Sequence, residues 1–432
     1  MRLGRAGAAK LQAGLNGGGG CAHGTILQDQ DRSCLVLQGQ AQGQGGLGAD
    51  DDAYQGDEGV GERRAVPVSR RGRSSLSTAV RQAATLRRAQ TATLHCVGTD
   101  SVSHDQAGSY ARALEEKLRP VDGWEWTALD LFAGCGGLAL GFESMGFRTI
   151  GYEMNRDGVE TCQKNLGGDC TEAYLTPDFE FPDADIVIGG PPCQPFSVGG
   201  LQQGLRDSRD GFPTFISAVK TLQPRLFLFE NVRGMLYRNK KYLDEILLTL
   251  RNLGYEVEVK LLNAVDFGVP QNRERLIVVG HRSKFEFPEP LRRRVTAGEA
   301  LGSLATEYDD DSKWLTSSMD KYIQRYEDKS ACINPRDLHL DRPARTLTCR
   351  NLAGATGDMH RIRLPDGRRR RLTTKEAARL QSFPDSFHFA GNETSVYNQI
   401  GNAVPPLFGA ALAAAVAASL EGRVSSPQER LF

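Results

Sequence analysis

The chain has 432 residues, with 53 Lys and Arg against 53 Asp and Glu, so no global positive field marks a nucleic-acid partner and any such surface must be local. With 40% apolar and 25% charged residues it can build at least one sizeable core, and no run approaches the ~18 consecutive apolar residues of a membrane-crossing helix. The 9 Cys, at 21, 34, 96, 135, 162, 170, 193, 332 and 349, include no Cys-x-x-Cys pair, which argues against a zinc ribbon or disulfide framework and for a reducing compartment.

Residues 1–110 hold 19 of the 48 Gly, in stretches such as GLNGGGG (14–20) and LQGQAQGQGGLGADDD (37–52), without a sustained helical or alternating apolar pattern. Such a segment buries too little surface to offset its chain entropy. It is expected to be a disordered extension or a start assigned too far upstream, since no Met occurs between Met1 and Met145. It carries 12 Lys and Arg and 10 Asp and Glu, leaving 41 and 43 for the remainder, so removing it uncovers no basic protein.

The texture changes near Tyr110. ARALEEKLRP (111–120) predicts a short helix stopped at Pro120. WTALDLF (126–132), TIGYE (149–153), ADIVIGG (184–190), RLFLFE (225–230), YEVEVKLLNA (255–264) and RLIVVG (275–280) predict strands. Helical stretches lie between them, the clearest being KKYLDEILLTLRNLG (240–254), with an apolar stripe and a terminal Gly. Buried strands alternating with helices predict an α/β fold whose mostly parallel sheet is covered on both faces, with a catalytic domain over 123–283. Residues 284–390, rich in Arg, Pro, Asp and Ser, predict a smaller lobe with basic runs at Arg292–Arg294 and Arg368–Arg371. The Ala-rich GAALAAAVAASLEG (409–422) predicts a last helix, in a segment (391–424) that returns to the catalytic domain.

Four strand ends concentrate the chemistry. The turn from Phe132 through Gly134 and Gly136 follows the first strand, and Glu153 closes the next. Glycines there let the backbone approach a ligand, and an acid at the second strand tip accepts both hydroxyls of a ribose. A nucleoside-containing cofactor is expected, with NAD and S-adenosylmethionine both open at this point. GGPPCQPFSVGG (189–200) places Cys193 after two prolines at the end of a buried strand, where the fixed backbone presents the thiol. Glu230, at the tip of RLFLFE, is a part-desolvated carboxyl suited to holding a proton for a ring nitrogen. In QNRER (271–275), alternation points Gln271, Arg273 and Arg275 to one face, where two guanidiniums suit an anionic or carbonyl-bearing ligand.

In this order and at these spacings the four closely resemble the DNA (cytosine-5) methyltransferase family of prokaryotic type. DLFAGCGG with Glu153 is similar to its cofactor motifs, GGPPCQPFS to its nucleophile loop, ENVRGM to its glutamate motif and QNRER to its Gln-x-Arg-x-Arg motif. RTLTCR (345–350) resembles the Thr-Leu element of its target-recognition region, and RRLTTKEAARLQSFPDSF (370–387) and YNQIGNAVPP (397–406) its last two motifs.

The resemblance, over about residues 125–420, implies a Rossmann-like S-adenosylmethionine-dependent methyltransferase sheet with a smaller target-recognition lobe. It implies methyl transfer to carbon 5 of a cytosine flipped out of a specific double-stranded DNA sequence. Cys193 attacks carbon 6, Glu230 donates to N3, Arg273 sits against the O2 carbonyl, and Arg275 supports it; no metal is required. By the same resemblance Phe132, Gly134, Gly136, Glu153, Met154, Asp169 and Asn402 are expected to hold the cofactor. Ser197, Gln202, Arg206, Arg209, Thr346 and Leu347 meet DNA, with the Arg runs as phosphate contacts. A monomeric, cytoplasmic, nucleoid-associated enzyme is implied, and any cognate restriction endonuclease would act separately. The tRNA-methylating branch is one alternative, but its Cys-Phe-Thr signature is missing between 284 and 385. A catalytically inactive DNA-binding relative is the other, although Cys193, Glu230, Arg273 and Asn402 are all present.

Overall fold

The computed structural model describes residues 105–423 apart from 122, 124, 193–209, 310–311, 331–335 and 355–357. Among the described residues, seven strands form one sheet in the order 3-2-1-4-5-7-6: β1 (Trp126–Leu131), β2 (Phe147–Glu153), β3 (Asp169–Glu172), β4 (Ile186–Gly189), β5 (Leu226–Val232), β6 (Glu256–Asn263) and β7 (Glu274–His281). β1 to β5 are parallel, and β7 lies antiparallel between β5 and β6. The sequence leads to β7 but not to its direction. Between β6 and β7 there is only one short helical turn, Ala264–Phe267, too little chain for a parallel crossover, so the two strands pair antiparallel. β3 also goes unpredicted, because Asp-Cys-Thr-Glu contains a single apolar residue.

Alternation along the strands feeds two cores. Ala128, Ile186, Ile188, Leu228, Ile277 and Val279 meet the face covered by helices Gly137–Glu143 and Pro406–Leu420. Leu129, Leu131, Val187, Phe227, Phe229 and Val278 meet Phe212–Leu222 and Lys240–Asn252 on the other. The Ala-rich last helix fits closely: a Cβ on Gly141 would collide with the Ala410 backbone. The helical stretch Glu393–Leu420 is long and apolar enough to cross a membrane, yet 89% of its apolar window is buried inside the protein.

Helix Asp105–Lys117 corrects the expected tail boundary at residue 110. Tyr110, Leu114 and Leu118 lie in the first core, and the Tyr110 hydroxyl donates to Gly268 O at 3.1 Å. Deleting residues 1–104 should therefore leave the unfolding midpoint near that of the full chain, while deleting 1–118 should cost roughly 5 kcal/mol of stability from three lost core side chains. Urea unfolding of the two truncations checks this, and equal midpoints would refute it. The smaller lobe also differs from expectation. Val295, Ala300, Leu301, Leu347, Leu352, Leu372 and Leu380 belong to the same continuous core as the sheet. Among the described residues of the lobe, the group of Leu315, Ile323 and Met359 stands apart.

Candidate active site

Strand order reverses between β1 and β4, and ligands of open parallel sheets bind outside the carboxyl ends at such a point. After β1, Phe132 adopts φ 63°, rare for a non-glycine residue, followed by Gly134 at 60° and Gly136 at 82°. Glu153, at the end of neighbouring β2, braces this turn: Oε2 accepts from the Gly134 N–H at 2.9 Å, and Oε1 from the Asn155 N–H at 2.8 Å. A Cβ on Gly158 would lie 2.7 Å from Gly134 O, so helix Arg156–Asn165 is set hard against the turn. Segment 399–404 covers its other side. Cys135 Sγ lies 3.7 Å from Gln399 O, a Cβ on Gly137 would collide with Val404 O, and Asn402 stands exposed between them.

Met154, beside Glu153, is 64% exposed, an apolar shelf of the kind a nucleobase covers. Asp130, on β1 beneath the turn, is 1% exposed, and its Oδ2 has no hydrogen-bond partner. These features fit a nucleoside cofactor with a cationic end. Burial first, then the Glu153 charge, push Asp130 up to about 7. The folded state thus holds the proton more tightly than the unfolded chain, so this group lowers stability as pH rises from about 4 to 7. Asp130→Asn should be more stable than the wild type by a few kcal/mol at pH 8, a gain that nearly vanishes at pH 4. Thermal unfolding at the two pH values checks it, and a pH-independent difference would contradict it.

At the end of β4, Gly190 leads into Pro191 and Pro192. Cys193, Ser197, Gln202, Arg206 and Arg209 lie outside the described residues. Their flanks are pinned. Asn231 Nδ2 donates to Pro191 O at 3.0 Å, the Gly211 N–H to Pro192 O at 2.9 Å, and Asp210 accepts from the Phe212 N–H at 3.1 Å and from the Tyr242 hydroxyl. The described residues on either side, Pro192 and Gly211, therefore lie side by side at the carboxyl end of β4. Cys135 and Cys162 do not compete as nucleophiles. Burial pushes Cys135 up to about 12, while contact with Cys170, followed by burial, raises Cys162.

Glu230 is 9% exposed and Arg275 is 8% exposed; Arg275 Nε lies 2.8 Å from Glu230 Oε1. The approach is not aligned as a hydrogen bond, which leaves Oε1 without one, and Oε2 lies 3.9 Å from where a Cβ on Gly190 would be. Arg275 Nη1 donates to Glu274 O at 2.7 Å, and Nη2 makes no hydrogen bond among the described residues. A desolvated pair with spare donors and acceptors beside the Pro-Pro turn is arranged to receive a polar ring.

Residues 126–418 match the family model of the C-5 cytosine-specific DNA methylases. The chain belongs to this family. It is 56% identical to Type II methyltransferase M.AplI of Arthrospira platensis over 304 residues, which cover 70% of this chain and 88% of that protein. It is 34% identical to Type II methyltransferase M.NgoFVII of Neisseria gonorrhoeae, over 64% of this chain and 83% of that one. The structure of the S. pombe Dnmt2 methyltransferase is similar, with a TM-score of 0.53 at 19% identity over 69% of this chain and 98% of that one, a likeness in fold alone.

In this methylase the Gln-x-Arg-x-Arg motif is divided between two tasks. Arg273 is 1% exposed: Nη1 donates to Leu347 O at 2.7 Å, and Nη2 to Gly401 O at 3.2 Å and Ala403 O at 2.9 Å. Burial and the neighbouring Arg275 charge pull its guanidinium well below the usual arginine range. The expectation that Arg273 meets a base carbonyl is thereby corrected, because its terminal nitrogens are taken by three main-chain carbonyls. Gln271 completes the clamp by accepting from the Leu347 N–H at 2.8 Å and donating to Gln381. Gln381 in turn donates to Ile400 O and Ala403 O at 2.9 and 2.8 Å. Sequence reading missed Gln381, although a polar residue inside the apolar pattern ARLQSF was its signal.

Other expectations are also revised. Leu347 is fully buried and belongs to the core, so its side chain cannot meet DNA; Thr346 donates to Asn272 O at 2.6 Å and is part-exposed. Asp169 opens β3 opposite Ile150 and pairs with Arg148 at 2.9 Å; Glu172 is the residue opposite Glu153. Three strand residues, about 10 Å, separate Asp169 from the edge that Glu153 occupies. The Arg368–Arg371 run is no row of phosphate contacts either. Arg369 is paired with Asp320 and Asp337, and Arg370 with Glu376, both buried, while Arg368 lies over Trp314. Arg293 and Arg294 pair with Glu299 and Asp266.

Proposed function

We propose that this chain methylates carbon 5 of cytosine in a specific sequence of duplex DNA, with S-adenosylmethionine as methyl donor and Cys193 as nucleophile. The observation that carries the reading is the buried Glu230–Arg275 pair beside Gly190, three residues before Cys193. The cofactor supplies a methyl group on a sulfonium, with Glu153 accepting from its ribose, Met154 against its base and Asn402 closing the pocket. Carbon 5 of an aromatic pyrimidine is a poor nucleophile. The Cys193 thiolate forms a bond to carbon 6, and the displaced ring electrons make carbon 5 enamine-like. Glu230 hydrogen-bonds N3 as charge develops there, and Arg275 Nη2 holds the O2 carbonyl. Carbon 5 would take the methyl group as the sulfonium leaves as a neutral thioether; a water-borne base would then take the carbon 5 proton, and the electron pair left behind expels Cys193 as the thiolate.

A base inside a duplex cannot reach this pocket, so it is flipped out at a cost of a few kcal/mol. Ser197, Gln202, Arg206 and Arg209 are the candidates in the 193–209 segment for filling the gap or holding phosphates. The same reading takes the enzyme as a cytoplasmic monomer, with any cognate endonuclease a separate protein. Bisulfite sequencing of host DNA after expression tests the activity and defines the site. Protected cytosines should appear at one sequence, and an unchanged conversion pattern would overturn the reading.

A further inference from the structure

The described Arg clusters of the smaller lobe differ in charge balance. Arg361, Arg363 and Arg369 share Asp320, Glu327 and Asp337, three charges against three. Arg370 faces Glu376 one to one. Asp358 is different, because three guanidiniums gather on this one carboxylate: Arg336 at 3.2 Å, Arg345 at 3.3 Å and Arg350 at 3.9 Å. Three positive charges against one negative leave a surplus of two. The buried neighbour His360 adds no further positive charge, since burial and then Arg345 hold its imidazole well below the usual range. Burial pulls Arg345 itself down to about 10; Asp358 opposes this, and Arg336 and Arg361 add to it. The surplus faces solvent, with Arg350 half exposed and Arg336 and Arg345 about a quarter exposed.

Its position relative to the base pocket is fixed by the clamp. Arg345 and Arg350 flank Thr346 and Leu347, which are fastened to Asn272, Gln271 and Arg273. Asn272 is three residues from Arg275, at most ~11 Å of chain, a span of a few nucleotides along one DNA strand. Guanidiniums converging on one point suit a compact tetrahedral anion better than a planar base edge.

We propose that Arg336, Arg345 and Arg350, held together by Asp358, form a phosphodiester clamp on the DNA backbone beside the flipped cytosine. The proposal rests on duplex DNA being the substrate. Asp358 keeps the three side chains preorganised, and a phosphate brings their charge toward balance. Such a contact strengthens binding at every sequence and specifies none.

Arg350→Gln, at an exposed position, is the direct test, and Arg336→Gln is its second arm. Each variant is titrated with duplex containing the methylated site and with unrelated duplex, across a series of salt concentrations. The expected result is roughly tenfold weaker binding to both duplexes near 0.15 M salt, with the slope of log K against log salt reduced by about 1. In turnover the loss should fall on KM for DNA rather than on kcat, and Arg350→Lys should restore most of it. Unchanged salt slopes would overturn the clamp. A changed recognition sequence with the slope intact would overturn it in favour of base reading. If the wild-type protein transferred no methyl group to duplex DNA, the substrate reading would fail first and the clamp with it.

Discussion

Cys193→Ser should reduce methyl transfer to duplex DNA by at least about 10⁴-fold while leaving S-adenosylmethionine binding near the wild-type value. The reasoning is chemical. A thiol is a few per cent thiolate near neutral pH even when unperturbed, whereas a serine hydroxyl supplies almost no alkoxide without a dedicated base. Without the bond to carbon 6, carbon 5 keeps its aromatic character and the remaining pocket has nothing to activate. The turn at Phe132–Gly136, proposed to hold the cofactor, follows β1, and its brace Glu153 closes β2, so neither depends on that sulfur. A tritiated-methyl assay paired with calorimetric cofactor binding checks both halves. Retained turnover in the serine variant would rule out the assigned nucleophile.

The second large effect is structural. Arg273→Ala should lower stability by roughly 3–5 kcal/mol, because it takes the arginine donor from the carbonyls of Leu347 and Gly401, leaves Ala403 O with Gln381 alone, and opens a cavity. That is a large part of the total stability of an ordinary domain, so the variant should be partly unfolded at physiological temperature. Arg273→Lys keeps a charge but lacks the planar fork that serves carbonyls from two segments at once, and should recover only part of the loss. Urea midpoints decide the matter. An alanine variant as stable as the wild type, but catalytically dead, would return Arg273 to the role of base contact.

The division between Arg273 and Arg275 shows where sequence reading reaches its limit. Strand tips were legible, because apolar runs such as LFLFE end visibly at a polar residue, and the sheet places Glu153 and Glu230 at carboxyl edges. The pairing of Glu230 with Arg275 required knowing that β7 runs antiparallel to β5, with Arg275 opposite Val232. The occupation of Arg273 required knowing that the Thr-Leu element and the segment after Ile400 arrive at the same place, through contacts 74 and 130 residues apart in sequence. The place of Asp169 was illegible for a related reason: β3 itself goes unpredicted, so the sequence does not say that Asp169 opens that strand three residues before the level of Glu153. The arginine run at 368–371 looked like a basic surface because its acidic partners, Asp320, Asp337 and Glu376, are scattered over the chain.

The central claim is that Cys193 becomes covalently attached to the cytosine that Glu230 and Arg275 receive. Duplex DNA carrying 5-fluorocytosine at the methylated position tests it most directly, because fluorine cannot leave as the carbon 5 proton does and the adduct is trapped. Incubation with S-adenosylmethionine followed by peptide mass spectrometry should find the methylated nucleotide on the peptide containing Cys193. A trapped nucleotide on any other residue, or complete absence of an adduct under conditions where unmodified DNA is methylated, would contradict the account.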